Sequence, residues 1–234
     1  KLDAPENTQF VDANFVDDFG KPYALERAVG IYERDGGILW KHFDTDSEKN
    51  ETRRSRELVL ISVATIGNYD YILSYIFKQD GSIEVEMGLT GIMLAKGVKN
   101  KRAEENYSMM SESFGHLVAE NIVAPHHQHF FNFRLDFDVD GQRNAVMEMN
   151  SSAMPASAGN PNLNGFMMRE SQLYTEQQAQ RRMDMQSARV WNITNLSTKN
   201  LLGHHTSYIL VPGSNSLPFI GVESAARKRA QFVN

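Results

Sequence analysis

The sequence predicts an all-β protein, a large antiparallel β-sandwich with few short helices. Runs rich in Val, Ile, Tyr and Phe recur along the chain and several alternate with polar residues, which is typical of strands. Turn signals containing Gly and Asp separate these runs about every 8–12 residues, as expected of a sandwich. No internal repeat or clear linker divides the 234 residues. We therefore expect residues 1–234 to form part of one domain.

The elements follow in chain order from a polar stretch, residues 1–20, that is predicted to be a loop or an edge strand. Strand patterns cover residues 24–32, 38–43, 57–64, 69–77, 82–87, 125–141, 145–149, 166–174, 188–193 and 207–212, and residues 115–124 lead into the strand over residues 125–141. Turns are predicted at Asp35-Gly36-Gly37, Asp80-Gly81 and Asp140-Gly141, because Asp-Gly between two strand patterns favours a hairpin. A charged loop is predicted over residues 44–56, and a short helix over residues 175–183.

Composition excludes several classes of function. The chain carries 24 Lys and Arg against 29 Asp and Glu, a net charge of -5, which argues against a nucleic-acid partner. No apolar run approaches the ~20 residues that a membrane-spanning helix needs. Cysteine is absent, so any metal must be held by His, Asp or Glu.

One motif is the polar stretch Asn68-Tyr69-Asp70-Tyr71, which interrupts the apolar run of residues 58–77. Val, Ile or Phe would supply bulk for packing equally well, so the polar groups suggest a chemical role. The alternative is that Tyr69 and Tyr71 are ordinary strand aromatics, since Tyr is common in strands. These residues alone leave both interpretations open.

A second motif is His127-Gln128-His129. If residues 125–141 form a strand, the two histidines share a face with Phe131, Phe133, Leu135, Phe137 and Val139. Two imidazoles on an apolar face are costly unless their nitrogens are satisfied. A metal would satisfy them, and imidazole suits copper, zinc or iron. The alternative is a pair of hydrogen-bonded core histidines.

The opposite face of the same predicted strand is acidic. Asp136, Asp138 and Asp140 match the opening of an EF-hand loop, but the twelfth position of that loop requires a bidentate Glu and is occupied here by Met147. The EF-hand interpretation is therefore rejected. A solvated acidic edge remains as one alternative.

Together these motifs resemble a known family. Asn68-Tyr69-Asp70-Tyr71 is similar to the Asn-Tyr-Asp/Glu-Tyr signature of copper-containing amine oxidases, and His127-Gln128-His129 to their His-x-His copper pair at a similar distance downstream. Residues 79–83, 89–92 and 132–136 are also similar. The resemblance covers most of the chain and is weaker before residue 23 and after residue 208.

The resemblance implies a function and its principal residues. Tyr69 would be oxidised in place to topaquinone, Asn68 and Asp70 would restrain its ring, and His127 and His129 would bind copper. The family converts primary amines and dioxygen to aldehydes, ammonia and hydrogen peroxide. The cofactors implied are therefore copper and topaquinone, and the substrates a primary amine and dioxygen.

The resemblance also implies peripheral features. Asp136 and Asp138 would supply carboxylates, and Phe137 a backbone carbonyl, to a surface calcium-type site. Glu176 matches a ligand of a second peripheral metal in some family members. A homodimer is implied, and the polar residues 96–113 are a candidate for an arm that reaches the other subunit.

Two parts of the family's site have no counterpart here, its catalytic Asp and its third copper His. The Asp and His residues nearest to the expected positions of these two groups lie outside the family's motifs: Asp3, Asp12, Asp17, Asp18, His204 and His205. We therefore expect the chain to be the middle of a larger catalytic domain, unable to turn over alone.

Two other functions stay open from the sequence. One is a cupin-like dioxygenase, which also uses a His-x-His metal pair, and the other is a non-catalytic β-sandwich binding module. The compartment is also open, although Asn192-Ile193-Thr194 and Asn195-Leu196-Ser197 match the glycosylation acceptor pattern. The sequence does not indicate which amine is oxidised.

Overall fold

The computed structural model describes residues 3–102, 114–213 and 215–230. Contacts divide the chain into two compact units, Lys1–His127 and Gln128–Asn234. Within the described residues every strand pairing is antiparallel, which confirms the predicted all-β, antiparallel class. That residues 1–234 belong to one catalytic domain stays a prediction.

The first unit contains two sheets. Its described strands are β1 (Gln9–Val16), β2 (Pro22–Asp44), β3 (Lys49–Ile66), β4 (Tyr69–Phe77), β5 (Ile83–Gly91), β6 (Lys96–Gly97), β7 (Gly115–Ala119) and β8 (Ile122–Pro125). Strands β1 to β5 form a meander in sequence order, and β6, β8 and β7 form a three-stranded sheet. The predicted edge strand is therefore present as β1. Residues 103–113, most of the predicted arm, lie outside the described residues.

The second unit contains one described sheet of four strands, in the order β10-β9-β11-β12. The strands are β9 (Ala145–Ala153), β10 (Phe166–Leu173), β11 (Val190–Lys199) and β12 (His205–Leu210), and a helix α1 (Ala225–Arg229) follows them. The Ser224 side chain caps α1 by accepting from the Arg227 N–H group at 3.1 Å. In the part of the chain that is described, no helix is long and apolar enough to cross a membrane.

Tight turns bring β3, β4 and β5 together. Ile66 pairs with Tyr69 across the two residues Gly67 and Asn68, and Gly67 takes a φ of 62°, which a two-residue hairpin turn needs and glycine accepts without strain. The predicted hairpin at Asp80-Gly81 is confirmed, with Gly81 at a φ of 87°.

Strands β2 and β3 are longer than predicted. The prediction of a turn at Asp35-Gly36-Gly37 is wrong, because the register shifts between Asp35 and Ile38 while both flanks stay paired with β3. The glycines form a bulge, which bends a strand without ending it. The predicted loop over residues 44–56 is reduced to a turn at residues 45–48. Charged side chains can be exposed on a two-stranded ribbon, so the charge of this stretch does not require a loop.

The core of each described unit lies between neighbouring strands. Val59 and Ile76 are cross-strand partners with no exposed surface, and they anchor one face of β3 and β4. In the second unit Met149 and Ile193 are buried on the central strands β9 and β11. Tyr69 and Tyr71 lie on the opposite face of β4 from Ile76, because side chains alternate along a strand.

The helix predicted over residues 175–183 is wrong. Only one turn forms there, in which Ala179 N–H donates to Thr175 O at 3.0 Å. The Thr175 and Gln178 side chains bond to backbone N–H groups of the same turn. The segment has no apolar stripe to pack, and a short helix without one does not offset the cost of nucleation.

The strand predicted over residues 125–141 is also wrong in its bounds. Strand β8 ends at Pro125, and residues 126–138 carry no strand assignment. Alternation in a sequence indicates which side chains share a face, but it does not fix the residue at which a strand ends. The predicted apolar face is partly exposed here, since Phe133 and Leu135 are 46% and 47% exposed.

Candidate active site

Tyr69 is the first residue of β4 and is held by its backbone on both sides. It pairs with Ile66 of β3 and with Gly91 of β5. A Cβ atom at Gly91 would lie 2.4 Å from Asn68 O and 2.9 Å from Tyr69 Cα, and the Gly91 φ is 109°. Only glycine permits this approach, because a side chain would clash with the backbone and strain its own. The Ile92 N–H group then donates to Asn68 O at 2.7 Å.

The Tyr69 hydroxyl group meets His127. Its Oη atom lies 2.9 Å from His127 Nε2, and the Leu94 N–H group donates to Oη at 3.3 Å. His127 Nδ1 lies 2.8 Å from Pro125 O. A carbonyl oxygen can only accept, so Nδ1 carries the proton, and in the neutral ring Nε2 is the acceptor. The Tyr69 hydroxyl group therefore donates to His127.

The aromatic rings form a short row. The Tyr69 and His127 ring centroids are 5.6 Å apart with an interplanar angle of 43°. The Tyr69 and Tyr71 centroids are 6.5 Å apart with an angle of 58°. The Tyr69 ring thus lies beside both the His127 ring and the Tyr71 ring.

Asn68 and Asp70 brace the hairpin on either side of Tyr69. The Thr65 hydroxyl group donates to Asp70 Oδ1 at 2.5 Å, which links the facing residues of β3 and β4. Alternation places the Asp70 side chain on the opposite face of the strand from the Tyr69 ring. Asn68 contributes its backbone carbonyl to Ile92, as described above. Both residues thus fix the strand that carries Tyr69.

The donor chemistry at His127 fits a copper ligand. A metal-bound histidine commonly donates its other ring N–H to a carbonyl or carboxylate, which sets its tautomer and orientation. The bond from Nδ1 to Pro125 O has that form, and it leaves the Nε2 lone pair directed at the Tyr69 oxygen. His129 is half-buried and belongs to the second unit. Among residues 3–102, 114–213 and 215–230, no three His, Asp or Glu side chains are grouped closely enough to hold a metal.

The predicted peripheral residues lie on the surface. Asp136 and Asp138 are exposed, Phe137 is half-buried, and Glu176 is exposed in the turn that follows β10. The carboxylates of Asp136 and Asp138 are thus accessible to a cation.

The suggested glycosylation positions lie inside the sheet of the second unit. Asn195 is 5% exposed, and its amide donates to Val139 O and Asp140 O, both at 3.0 Å. Asn192 pairs with both neighbouring strands in the middle of β11. A glycosylation acceptor needs an accessible side chain, so the pattern match at Asn195 is explained by structure.

Three partners of the site were missed by the sequence analysis. Leu94 acts through its backbone N–H group, which every residue except proline has. Pro125 acts through its backbone C=O group, which every residue has. Neither contact therefore leaves a signal in the sequence. Gly91 lies within the recognised stretch of residues 89–92, and a glycine opposite Tyr69 in a predicted hairpin could have indicated the close approach.

Comparison with known proteins assigns the chain to a family. The sequence profile of the copper amine oxidase enzyme domain matches residues 1–234. The chain belongs to the copper amine oxidases. It is 38% identical over 216 residues to the histamine oxidase of Arthrobacter globiformis, covering 92% of this chain and 30% of that protein. It is 36% identical over 210 residues to the primary amine oxidase of Klebsiella aerogenes, covering 90% and 27%.

Solved structures of copper amine oxidases share the fold. A copper-containing benzylamine oxidase from Hansenula polymorpha matches with a TM-score of 0.84 and 26% identity, over 99% of this chain and 35% of that one. An Aspergillus nidulans amine oxidase matches with a TM-score of 0.80 and 22% identity, over 99% and 30%; this second likeness concerns the fold alone. The chain thus spans about a third or less of the length of these relatives. The predicted family is confirmed, and the cupin-like alternative is not supported.

Proposed function

We propose that the complete protein oxidatively deaminates primary amines with dioxygen, giving an aldehyde, ammonia and hydrogen peroxide. The observation that carries the proposal is the 2.9 Å contact between Tyr69 Oη and His127 Nε2. It pairs the tyrosine of the family signature with the first histidine of the His-x-His motif, across 58 residues of sequence. Family membership supports the reaction class.

Each residue of the candidate site has a defined part in this proposal. Tyr69 is the precursor of topaquinone, and His127 and His129 bind copper. Pro125 O holds the His127 ring so that Nε2 faces the Tyr69 oxygen. Copper and the quinone, when present, supply the redox chemistry and the electrophilic carbonyl that an amine attacks.

The remaining contacts orient Tyr69. The Leu94 N–H group donates to the hydroxyl oxygen, so the oxygen keeps a donor when its own proton has left. Asn68 and Asp70 hold the strand through their bonds to Ile92 and Thr65. These residues restrain the position of the ring by fixing its oxygen and the strand that carries it.

The test is a chemical analysis of the complete protein matured with copper and dioxygen. We expect about one copper per chain, and a Tyr69 peptide that carries the mass and visible absorbance of a quinone, because topaquinone is an oxidised tyrosine. A plain tyrosine with bound iron would favour a cupin-like dioxygenase. A plain tyrosine in a protein without metal would favour a binding module.

We also propose a calcium-type site on the surface. Carboxylate and carbonyl oxygens suit Ca²⁺, and Asp136 and Asp138 with Phe137 O supply such a set, while Glu176 is assigned to a second peripheral site. The exposure of Asp136 and Asp138 supports access by a cation. The same metal analysis tests both sites. After dialysis against calcium, we expect the protein to hold more calcium than copper. A protein without bound calcium would contradict both sites.

The complete protein is further proposed to be a homodimer. In the described pairings, residues 32–44 of β2 lack a bond to β1, and residues 49–57 of β3 lack one to β4, so they form a two-stranded ribbon. Such a ribbon is marginally stable alone. It exposes four large apolar side chains by 45–58%: Ile38, Leu39, Trp40 and Phe43. Burial against a second copy, with two-fold symmetry, would cover them.

Analytical ultracentrifugation of the complete protein at low concentration checks the dimer. We expect the sedimentation coefficient of a dimer, and a shift towards the monomer when Trp40→Glu places a charge on the ribbon. Lys41→Glu, on the neighbouring residue, is the matched control. An active monomer in the unaltered protein would contradict the proposal.

A further inference from the structure

Gln128, the residue between the two histidines, has a side-chain amide that bonds to a distant segment of the chain. Its Nε2 group donates to Ser216 Oγ at 3.3 Å and to Leu217 O at 3.4 Å. Its Oε1 atom accepts from the Phe219 N–H group at 2.8 Å. The amide therefore uses both its donor and its acceptor on residues 216–219, which follow it by 88 to 91 residues.

The receiving segment is suited to this contact because Pro218 lies between the two backbone groups. Proline fixes its own φ and drives the preceding residue, Leu217, to an extended conformation. In an extended chain, the C=O of one residue and the N–H two residues later lie on the same edge. The Gln128 amide meets this edge as the backbone of a neighbouring strand would.

Gln128 lies in residues 126–138, which continue the chain beyond the end of β8 at Pro125. Their far end is held in the same way, since the Asn195 amide donates to Val139 O and Asp140 O at 3.0 Å. Asn144 adds bonds to both backbone groups of Val139. The segment that carries the second histidine is thus held by amide side chains near each end.

We propose that Gln128 is a positioning residue for the copper-binding histidines. By bonding to residues 216–219, it fixes the backbone from which its covalent neighbours His127 and His129 project. The inference rests on the proposed function, because it assigns copper to those two histidines. Gln128 acts through its neighbours and is not itself assigned as a ligand.

The experiment uses the complete protein prepared without copper. In Gln128→Ala, we expect Cu²⁺ to bind about 10–100-fold more weakly, the usual effect of losing an outer-shell partner of a metal ligand. The dissociation constant is measured by competition with a chelator, and the electron paramagnetic resonance spectrum of bound Cu²⁺ should change. Quinone absorbance after addition of copper and dioxygen should appear more slowly. Gln142→Ala, at an exposed glutamine beyond the segment, is the matched control and should behave as wild type.

A second variant decides the case where Gln128→Ala does not fold. Gln128→Asn keeps a neutral amide but shortens the side chain by one methylene group, so the amide cannot reach residues 216–219 in the same way. The same loss of Cu²⁺ affinity is expected. Wild-type affinity and an unchanged spectrum in a folded variant would overturn the positioning role.

Parallel measurement of His129→Ala separates this inference from the proposed function. If His129→Ala loses copper while the Gln128 variants bind as wild type, only the positioning role is wrong. If His129→Ala itself binds copper as wild type, the copper assignment fails, and the positioning role fails with it.

Discussion

Tyr69→Phe is expected to abolish quinone formation and amine oxidation while leaving the fold and copper binding in place. The substitution removes the phenol oxygen, where oxidation of the ring begins, and keeps the volume of the side chain. Stability should fall by only about 1 kcal/mol, the usual effect of losing one hydrogen bond. The measurement is reaction with phenylhydrazine, which forms a coloured adduct with the quinone carbonyl and should give none with the variant.

Tyr71→Phe is the matched control, because it lies on the same face of β4 two residues later. Its ring is near that of Tyr69, with centroids 6.5 Å apart, and the contact that carries the proposal joins His127 to Tyr69. We expect Tyr71→Phe to form the coloured adduct, at a reduced rate. An adduct in Tyr69→Phe would show that the quinone arises at another residue.

Loss of either histidine is the second large effect. His127→Ala or His129→Ala should weaken Cu²⁺ binding by more than about 100-fold, beyond the effect expected for an outer-shell partner. Since the proposed function makes copper necessary for the oxidation of Tyr69, the quinone should also be absent. Copper content after dialysis and quinone absorbance after exposure to dioxygen give the two readouts.

The neighbouring His126 offers a control within the same segment. Its side chain is exposed, and its backbone N–H group donates to Phe114 O at 2.6 Å, a contact that an alanine side chain retains. His126→Ala should load copper and form the quinone as wild type does. Normal quinone content in His129→Ala would show that copper bound at His129 is not required for the oxidation of Tyr69.

The sequence was informative where the governing interaction is local. The hairpin at Asp80-Gly81 depends on the backbone freedom of its glycine, so it could be predicted from a few residues. The bulge at Gly36-Gly37 could not, because the same residues favour a turn when the partner strand is unknown. Only the continued pairing of β2 with β3 distinguishes the two.

The candidate site shows the same division. Tyr69 and His127 were predicted as candidates from their side-chain chemistry and motif position, and the structure brings them within 2.9 Å of each other. Their partners Leu94 and Pro125 bond through backbone groups, which depend on where the chain runs. The bounds of the strand predicted over residues 125–141 were wrong, since alternation in a sequence indicates a shared face and not the residue at which a strand ends.

The pairing of Tyr69 with both neighbouring strands determines how its ring can move. The Tyr69 backbone is paired with Ile66 of β3 and with Gly91 of β5, so the main chain is held in place on both sides. Reorientation of the ring must therefore occur about the Cα–Cβ and Cβ–Cγ bonds. Such rotamer changes cross small barriers and leave the sheet intact. A fixed pivot with a rotating ring would let a single residue face a metal in one step and a substrate in the next.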